Sequence, residues 1–243
     1  MKSFNMPNPY FKFKQFTIFH DKCAMKVGTD GVLLGSWAGT GLSPKRILDI
    51  GAGSGLIALM LAQRFKSAEI DAVEIETQCA QQCAENALAS PFKERINSTN
   101  SSIQEFALKN EDKFDLLVSN PPFFIDSFTS DNDQRNTARH NHSLRQHDLL
   151  KVVTDLSHHK SVFAIILPVK EGDLFILKAR EYPWYLNNQV YIKGSPESKE
   201  KRVLLEFTKS QNPLVKSQLI VEEKRGVYTE GFTALVKDFY LHL

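Results

Sequence analysis

The chain has 243 residues, 42% of them hydrophobic and 24% charged, with a formal net charge of +2. That is enough length to bury a sizeable core, and the balance excludes a disordered or fibrous chain. No run of 18 apolar residues occurs, which excludes a membrane-spanning helix, and a net charge this small excludes a nucleic-acid binder that relies on bulk electrostatics. Met1-Lys2-Ser3 is followed by no apolar signal-peptide core, so a cytoplasmic protein is expected. Three cysteines cannot all pair. Cys79 and Cys83 stand one helical turn apart with no further ligands nearby, so reduced thiols and no metal are expected.

Residues 4–19 set Phe4, Tyr10, Phe11, Phe13, Phe16, Ile18 and Phe19 against Lys12 and Lys14, and this alternation predicts a short strand with one buried face. Residues 1–28 hold Lys2, Lys12, Lys14, Lys22 and Lys26 against Asp21 alone. Simple packing of the rings accounts for the pattern. Lys12 and Lys14 on RNA phosphates, with a ring stacked on a base, account for it as well. Thr29 or Asp30 is a good N-cap, which predicts a helix running through Trp37. Its first amides, or Lys26 and Thr29, could face a ligand carboxylate; capping alone explains the same residues.

Ile47-Leu48-Asp49-Ile50-Gly51-Ala52-Gly53-Ser54-Gly55-Leu56 reads as a buried strand, a tight turn and the start of a helix over Leu56–Arg64. The spacing of Gly51, Gly53 and Gly55 departs from the G-x-G-x-x-G of dinucleotide folds. With Asp49 before them, they resemble the glycine loop of methyltransferases that use S-adenosylmethionine (SAM). Asp49, Gly51, Ala52, Gly53 and Gly55 are therefore candidate cofactor contacts. Glu69–Glu74 is a second strand, and Glu74 lies nineteen residues past Gly55, where nucleoside-binding sheets place an acid on the ribose hydroxyls. Glu76 is the alternative.

A helix over Gln78–Leu88 and a weak third strand from Ile96, ending near Ser102, come next. Phe114–Ser119 is a fourth strand, stopped by Asn120-Pro121-Pro122-Phe123, because two prolines continue neither sheet nor helix. Residues 126–148 are polar and long for a connection. Arg135, Arg139 and Arg145 there are candidate phosphate contacts, whereas His140, His142 and His147 read as exposed loop residues. Leu149–Leu156 and Gly172–Arg180 are predicted helices. Ser161–Leu167, Gln189–Lys193 and Val203–Lys209 are predicted strands, with a charged turn over Gly194–Lys201. Phe232, Leu235, Val236, Phe239, Tyr240 and Leu243 recur at helical spacing and predict a C-terminal docking helix.

The alternation of strand and helix predicts an α/β fold with a doubly wound, Rossmann-like sheet of seven strands. It forms a single domain over residues 1–243, with residues 1–40 as a packed extension. Glycine turn, Glu74 and the Asn-Pro-Pro corner all fall at strand C-termini, so they should meet in one cleft. The chemistry suits such a corner. An exocyclic base amine is a weak nucleophile, since its lone pair is shared with the ring. Two fixed acceptors, the Asn120 side-chain oxygen and the Pro121 carbonyl, would hold its N–H groups and turn the lone pair outward. Phe123 would stack on the base for about 1–3 kcal/mol, and approximation of two bound reactants supplies on the order of 7–11 kcal/mol. In isolation, Asn-Pro-Pro-Phe is equally a rigid turn.

Blocks along nearly the whole chain resemble the bacterial valine-tRNA (tRNA1Val) adenine-37 N6-methyltransferases. They are Phe11-Lys12-Phe13-Lys14-Gln15-Phe16, the run from His20 to Gly31, Leu48–Leu56, Ser119–Phe123, Arg202-Val203-Leu204-Leu205-Glu206-Phe207 and Phe239-Tyr240-Leu241. The resemblance implies a class I SAM-dependent fold, SAM as cofactor and methylation of N6 of the adenine beside the anticodon of a valine tRNA. It further implies base contacts from Asn120, Pro121, Pro122 and Phe123, with Asn120 also bordering the cofactor; a monomer is expected. At the end of the third strand this class often places an acid on the SAM adenine. Here Ser102 stands there, a weaker acceptor, with Asn100 as a substitute. Asn-Pro-Pro-aromatic also serves guanine-N2 methylation of ribosomal RNA and glutamine methylation of release factors. A non-catalytic RNA-binding protein with a vestigial SAM fold is the rival of another class.

Overall fold

One central sheet orders the molecule, and its strand order decides where a ligand can sit. The computed structural model describes residues 8–122 and 146–243. Strands β3 (Arg46–Ile50), β4 (Glu69–Glu74) and β5 (Ile96–Asn100) run parallel, and β6 (Phe114–Ser119) and β7 (Ser157–Pro168) continue the parallel run beyond β3. Strand β9 (Glu200–Thr208) lies antiparallel between β7 and β8 (Tyr185–Lys193), and β10 (Val215–Ile220) adds to β8 in parallel. The full order is β10-β8-β9-β7-β6-β3-β4-β5. Among the described residues the sheet's expected seven strands are thus eight. The extra edge strand comes from a segment that carried no strand expectation.

Parallel neighbours need crossovers, which here are helices on both faces. The strands accordingly read as continuous apolar runs whose alternate residues face opposite layers. Leu116 and Val118 of β6 enter the layer with α1 (Thr29–Trp37), α2 (Leu56–Arg64), α3 (Thr77–Leu88) and α7 (Glu230–Val236). Leu117 enters the other, with α4 (Ile103–Lys109), α5 (Gln146–Asp155) and α6 (Val169–Ala179). All three are fully buried, worth roughly 1.5–3 kcal/mol each. Among the described residues, no helix is long and apolar enough to cross a membrane.

The N-terminal alternation resolves as a hairpin, not one strand. β1 (Tyr10–Lys12) pairs antiparallel with β2 (Thr17–Phe19), and Phe13, Phe16 and Ile18 are buried. The chain's other end closes on it: Phe13 bridges to Tyr240, and the Lys14 amide donates to Phe239 O at 2.8 Å. That contact also explains why the C-terminal helix is shorter than its periodicity predicts. After Val236 the chain turns back toward the hairpin, which leaves Leu243 half exposed. A second small hairpin, β11 (Glu222–Lys224) with β12 (Val227–Tyr228), sits between β10 and α7.

Candidate active site

The turn after β3 is built from three glycines in the left-handed region, with φ of 72° at Gly51, 54° at Gly53 and 84° at Gly55. A Cβ at Gly51 or Gly53 would meet no atom within 4 Å, so this backbone is bare toward the cleft. A Cβ at Gly55 would instead stand 2.8 Å from the Cys83 sulfur. Gly55 therefore lets the turn lie against α3 and does not line the cleft. Burial pushes the Cys83 thiol up to about 12, so it packs as a small apolar group. All three cysteines are free thiols.

Because Gly55 has no side chain to cap α2, the cap comes from beneath. The Asp49 Oδ2 accepts the Ala58 amide at 3.0 Å. Asp49 is fully buried, and desolvation drives its pKa up from 3.8 to about 7, against the lowering by the Ala58 bond and with a further push from Glu74. Expected as a cofactor contact, Asp49 supports the turn from below and is absent from the cleft wall. Glu74, at the end of β4, accepts the Gly53 amide on Oε2 at 2.8 Å and the Glu76 amide on Oε1 at 2.9 Å. It stands behind the turn, joined to it, and like Asp49 is absent from the cleft wall.

The opposite wall is the corner after β6. Ser119 fixes it by donating its hydroxyl to Ile50 O at 3.0 Å, which ties the end of β6 to the end of β3. Asn120, Pro121 and Pro122 then line the same cavity as Gly51, Ala52 and Gly53, about 410 Å³ in volume, which is the scale of a small-molecule site. Met25, Lys26, Val27, Gly28, the first turn of α1, Ser54, Leu56 and Ile57 complete the lining.

Helix α1 reaches this position through close packing. A Cβ on Gly31 would come within 2.9 Å of Leu56, and one on Gly35 within 2.8 Å of the Met60 sulfur. Glycines four apart in the sequence are thus the signal of this helix contact. The capping expectation is overturned. Gly28 is the N-cap, in extended backbone with no side-chain bond, and Asp30 gives its carboxylate to Arg202 at 2.7 Å. Thr29 does line the cleft. So does Lys26, but its ammonium donates to His20 O and Cys23 O, at 2.8 and 3.2 Å.

Two other expectations are redirected. Ser102 caps α4, accepting the Glu105 amide at 3.2 Å, and lies outside the cleft lining. Asn100 donates to Glu74 O and Ile75 O, bracing the end of β4. The basic N-terminal patch is largely engaged by the protein itself. Lys14 donates to Lys237 O at 2.6 Å and Lys22 pairs with Glu85 at 2.7 Å, whereas Lys12 is exposed on β1. Phe123, Arg135, Arg139 and Arg145 lie outside the described residues.

Residues 32–161 match the methyltransferase small domain family. The chain is 46% identical over 240 residues to the tRNA1(Val) (adenine(37)-N6)-methyltransferase of Bacteroides thetaiotaomicron, covering 98% of this chain and all of that one. It is 42% identical to the protein of the same name in Yersinia pseudotuberculosis, over 96% and 92% of the two chains. Among solved structures, a predicted O-methyltransferase of Agrobacterium tumefaciens shares the fold, with a TM-score of 0.67 at 18% identity over 86% of this chain and 96% of that one. A methyltransferase from Pyrococcus furiosus matches over 78% and 90%, with a TM-score of 0.53 at 17% identity. A glycine turn and an Asn-Pro-Pro corner facing one cavity, with near full-length identity of this order, show that the chain belongs to the tRNA1(Val) (adenine(37)-N6)-methyltransferase family.

Proposed function

We propose that the chain methylates N6 of adenine 37 in a valine tRNA, with SAM as methyl donor. The observation that carries this reading is the shared cavity of the Asn120-Pro121-Pro122 corner and the Gly51–Gly53 turn. The residues fit the cofactor. The turn is bare where a Cβ would point into open space, and Glu74 keeps lone pairs beyond the two amides it already accepts. The orphan amides of the first turn of α1 line the same hollow. When bound, SAM supplies a methyl group already activated by a sulfonium.

In this reading Gly51, Ala52 and Gly53 seat the cofactor against backbone, and Glu74 holds its ribose hydroxyls. The Asn120 side-chain oxygen and the Pro121 carbonyl accept the two N–H groups of the target amine and orient its lone pair. Pro121 and Pro122 keep that pair of acceptors rigid. Phe123 stacks on the base, and Lys12, Arg135, Arg139 and Arg145 meet RNA phosphates. The target sits in a single-stranded loop, so splaying it out costs less than opening a duplex. The names of the full-length relatives support this substrate. The reading takes the whole chain as one monomeric domain working in the cytoplasm, where tRNA is found.

Incubation with labelled SAM and total tRNA, ribosomal RNA and release factor tests it. Label in valine tRNA, mapped to N6-methyladenosine at position 37, is the expected result. Label confined to ribosomal RNA or to protein overturns it.

A further inference from the structure

The Asp30–Arg202 pair joins two parts of the fold that no main-chain ladder connects. Asp30 stands in the first turn of α1 and lines the cleft, and its Oδ2 accepts from Arg202 Nε at 2.7 Å. Arg202 lies on β9, in register with Pro168 at the end of β7. Strand order places β3 and the glycine turn on one side of β6, and β7 followed by β9 on the other. The first turn of α1 is therefore fixed at two points: Gly31 against Leu56 on the side of the turn, and Asp30 to Arg202 on the far side of the Asn-Pro-Pro corner. It spans the cleft above Asn120, since a Cβ on Gly31 would lie 3.9 Å from the side-chain Nδ2 of Asn120.

We propose that Asp30 and Arg202 are a positioning pair that sets the width of the target slot between α1 and the Asn-Pro-Pro corner. This rests on the methyl-transfer reading above and adds which residues hold the acceptor at its working depth. Both side chains keep about a quarter of their surface, 27% each, exposed to solvent. A single part-buried pair of this kind contributes only modestly to global stability. Its consequence is local: the guanidinium fixes the direction of the carboxylate, and with it the tilt of the helix start. In a reaction governed by approximation, displacement of one wall by about an ångström costs roughly a hundredfold in rate.

The test compares Asp30→Asn, Arg202→Gln, the double variant and Arg202→Lys in the full-length protein. Three readouts are taken: SAM affinity by calorimetry, kcat and KM on valine tRNA, and the thermal midpoint. Each single neutralising variant should lose roughly ten- to a hundredfold in kcat, a larger factor than its loss in SAM affinity, with the thermal midpoint lowered only slightly. The double variant should be no worse than the poorer single one, as expected of two residues acting through one contact. Arg202→Lys, which keeps the cation without the planar guanidinium, should recover part of the rate. Unchanged kcat in the singles, losses that multiply in the double, no recovery with lysine, or SAM affinity and midpoint falling in step with kcat would each overturn the proposal. A wild-type chain inactive on tRNA would overturn the functional reading and this proposal with it; an active wild type with indifferent variants overturns the proposal alone.

Discussion

Glu74 accepts the amide of Gly53 at 2.8 Å, so the acid that ends β4 and the middle glycine of the turn after β3 form one unit. Its other oxygen holds the Glu76 amide at the start of the next crossover. Replacement by alanine removes both acceptors and the ribose contact proposed for them. With charged hydrogen bonds worth about 1.5–3 kcal/mol each, SAM binding should weaken by at least tenfold. Titration calorimetry with S-adenosylhomocysteine measures this, and an affinity equal to wild type would remove Glu74 from the cofactor site.

Asn120→Ala separates catalysis from binding. Asn120 lines the cavity at the end of β6 without belonging to the strand, whose end is held instead by the Ser119 bond to Ile50. The variant should therefore fold, bind SAM within a few-fold of wild type, and lose on the order of a hundredfold in kcat, as when a preorganised polar group is deleted from a reaction centre. Single-turnover assays on valine tRNA beside a SAM titration read the two effects apart. Parallel loss of both would mean that Asn120 supports the fold.

Gly53→Ala and Gly55→Ala should fail in different ways, although both place a side chain at positive φ and incur about 1–2 kcal/mol of backbone strain. At Gly53 the added methyl meets no protein atom and projects into the cleft, so SAM affinity should fall well beyond the loss in stability. At Gly55 it would stand 2.8 Å from the Cys83 sulfur, pushing the turn off α3. Gly55→Ala should lower the thermal midpoint further than Gly53→Ala does, and Cys83→Ala in the same chain should restore part of it. Equal midpoints for the two glycine variants would contradict this division.

The residues that were legible in the sequence are those whose roles are local. Three glycines at positive φ, an acid one crossover later and an Asn-Pro-Pro stop each declare themselves within a few positions, because turn geometry and strand ends are set by neighbours along the chain. What was hidden depends on partners far away. Asp30 is a good cap by type, yet Arg202, 172 residues on, takes its carboxylate. Tyr240 fits a helical stripe, yet Phe13 draws it into a bridge and the helix ends early. β10 mixes polar and apolar residues on an exposed edge, and only its parallel register with β8 makes it a strand. Ser102 is the opposite case, since its hydroxyl just ahead of a helical run makes it a cap by local chemistry alone.

Asp49 gives the protein a pH dependence of predictable sign. Its folded-state pKa of about 7 lies above the ordinary 3.8, because burial penalises the carboxylate more than the Ala58 amide stabilises it. Between those two values the native chain holds a proton that the unfolded chain has released, so this group's contribution to stability falls as pH rises from 4 to 7 and stays low above that. The difference amounts to roughly 4 kcal/mol at full ionisation. Asp49→Asn keeps an oxygen for the Ala58 amide and removes the ionisation. The thermal midpoint of the variant, measured from pH 5 to 8.5 beside wild type, should therefore gain on wild type steadily up to neutral pH and then run parallel to it. Groups that do not interact with Asp49 cancel in that difference. A constant offset across the whole range would show that Asp49 is ionised in the folded chain throughout, held by the start of α2 against the cost of burial.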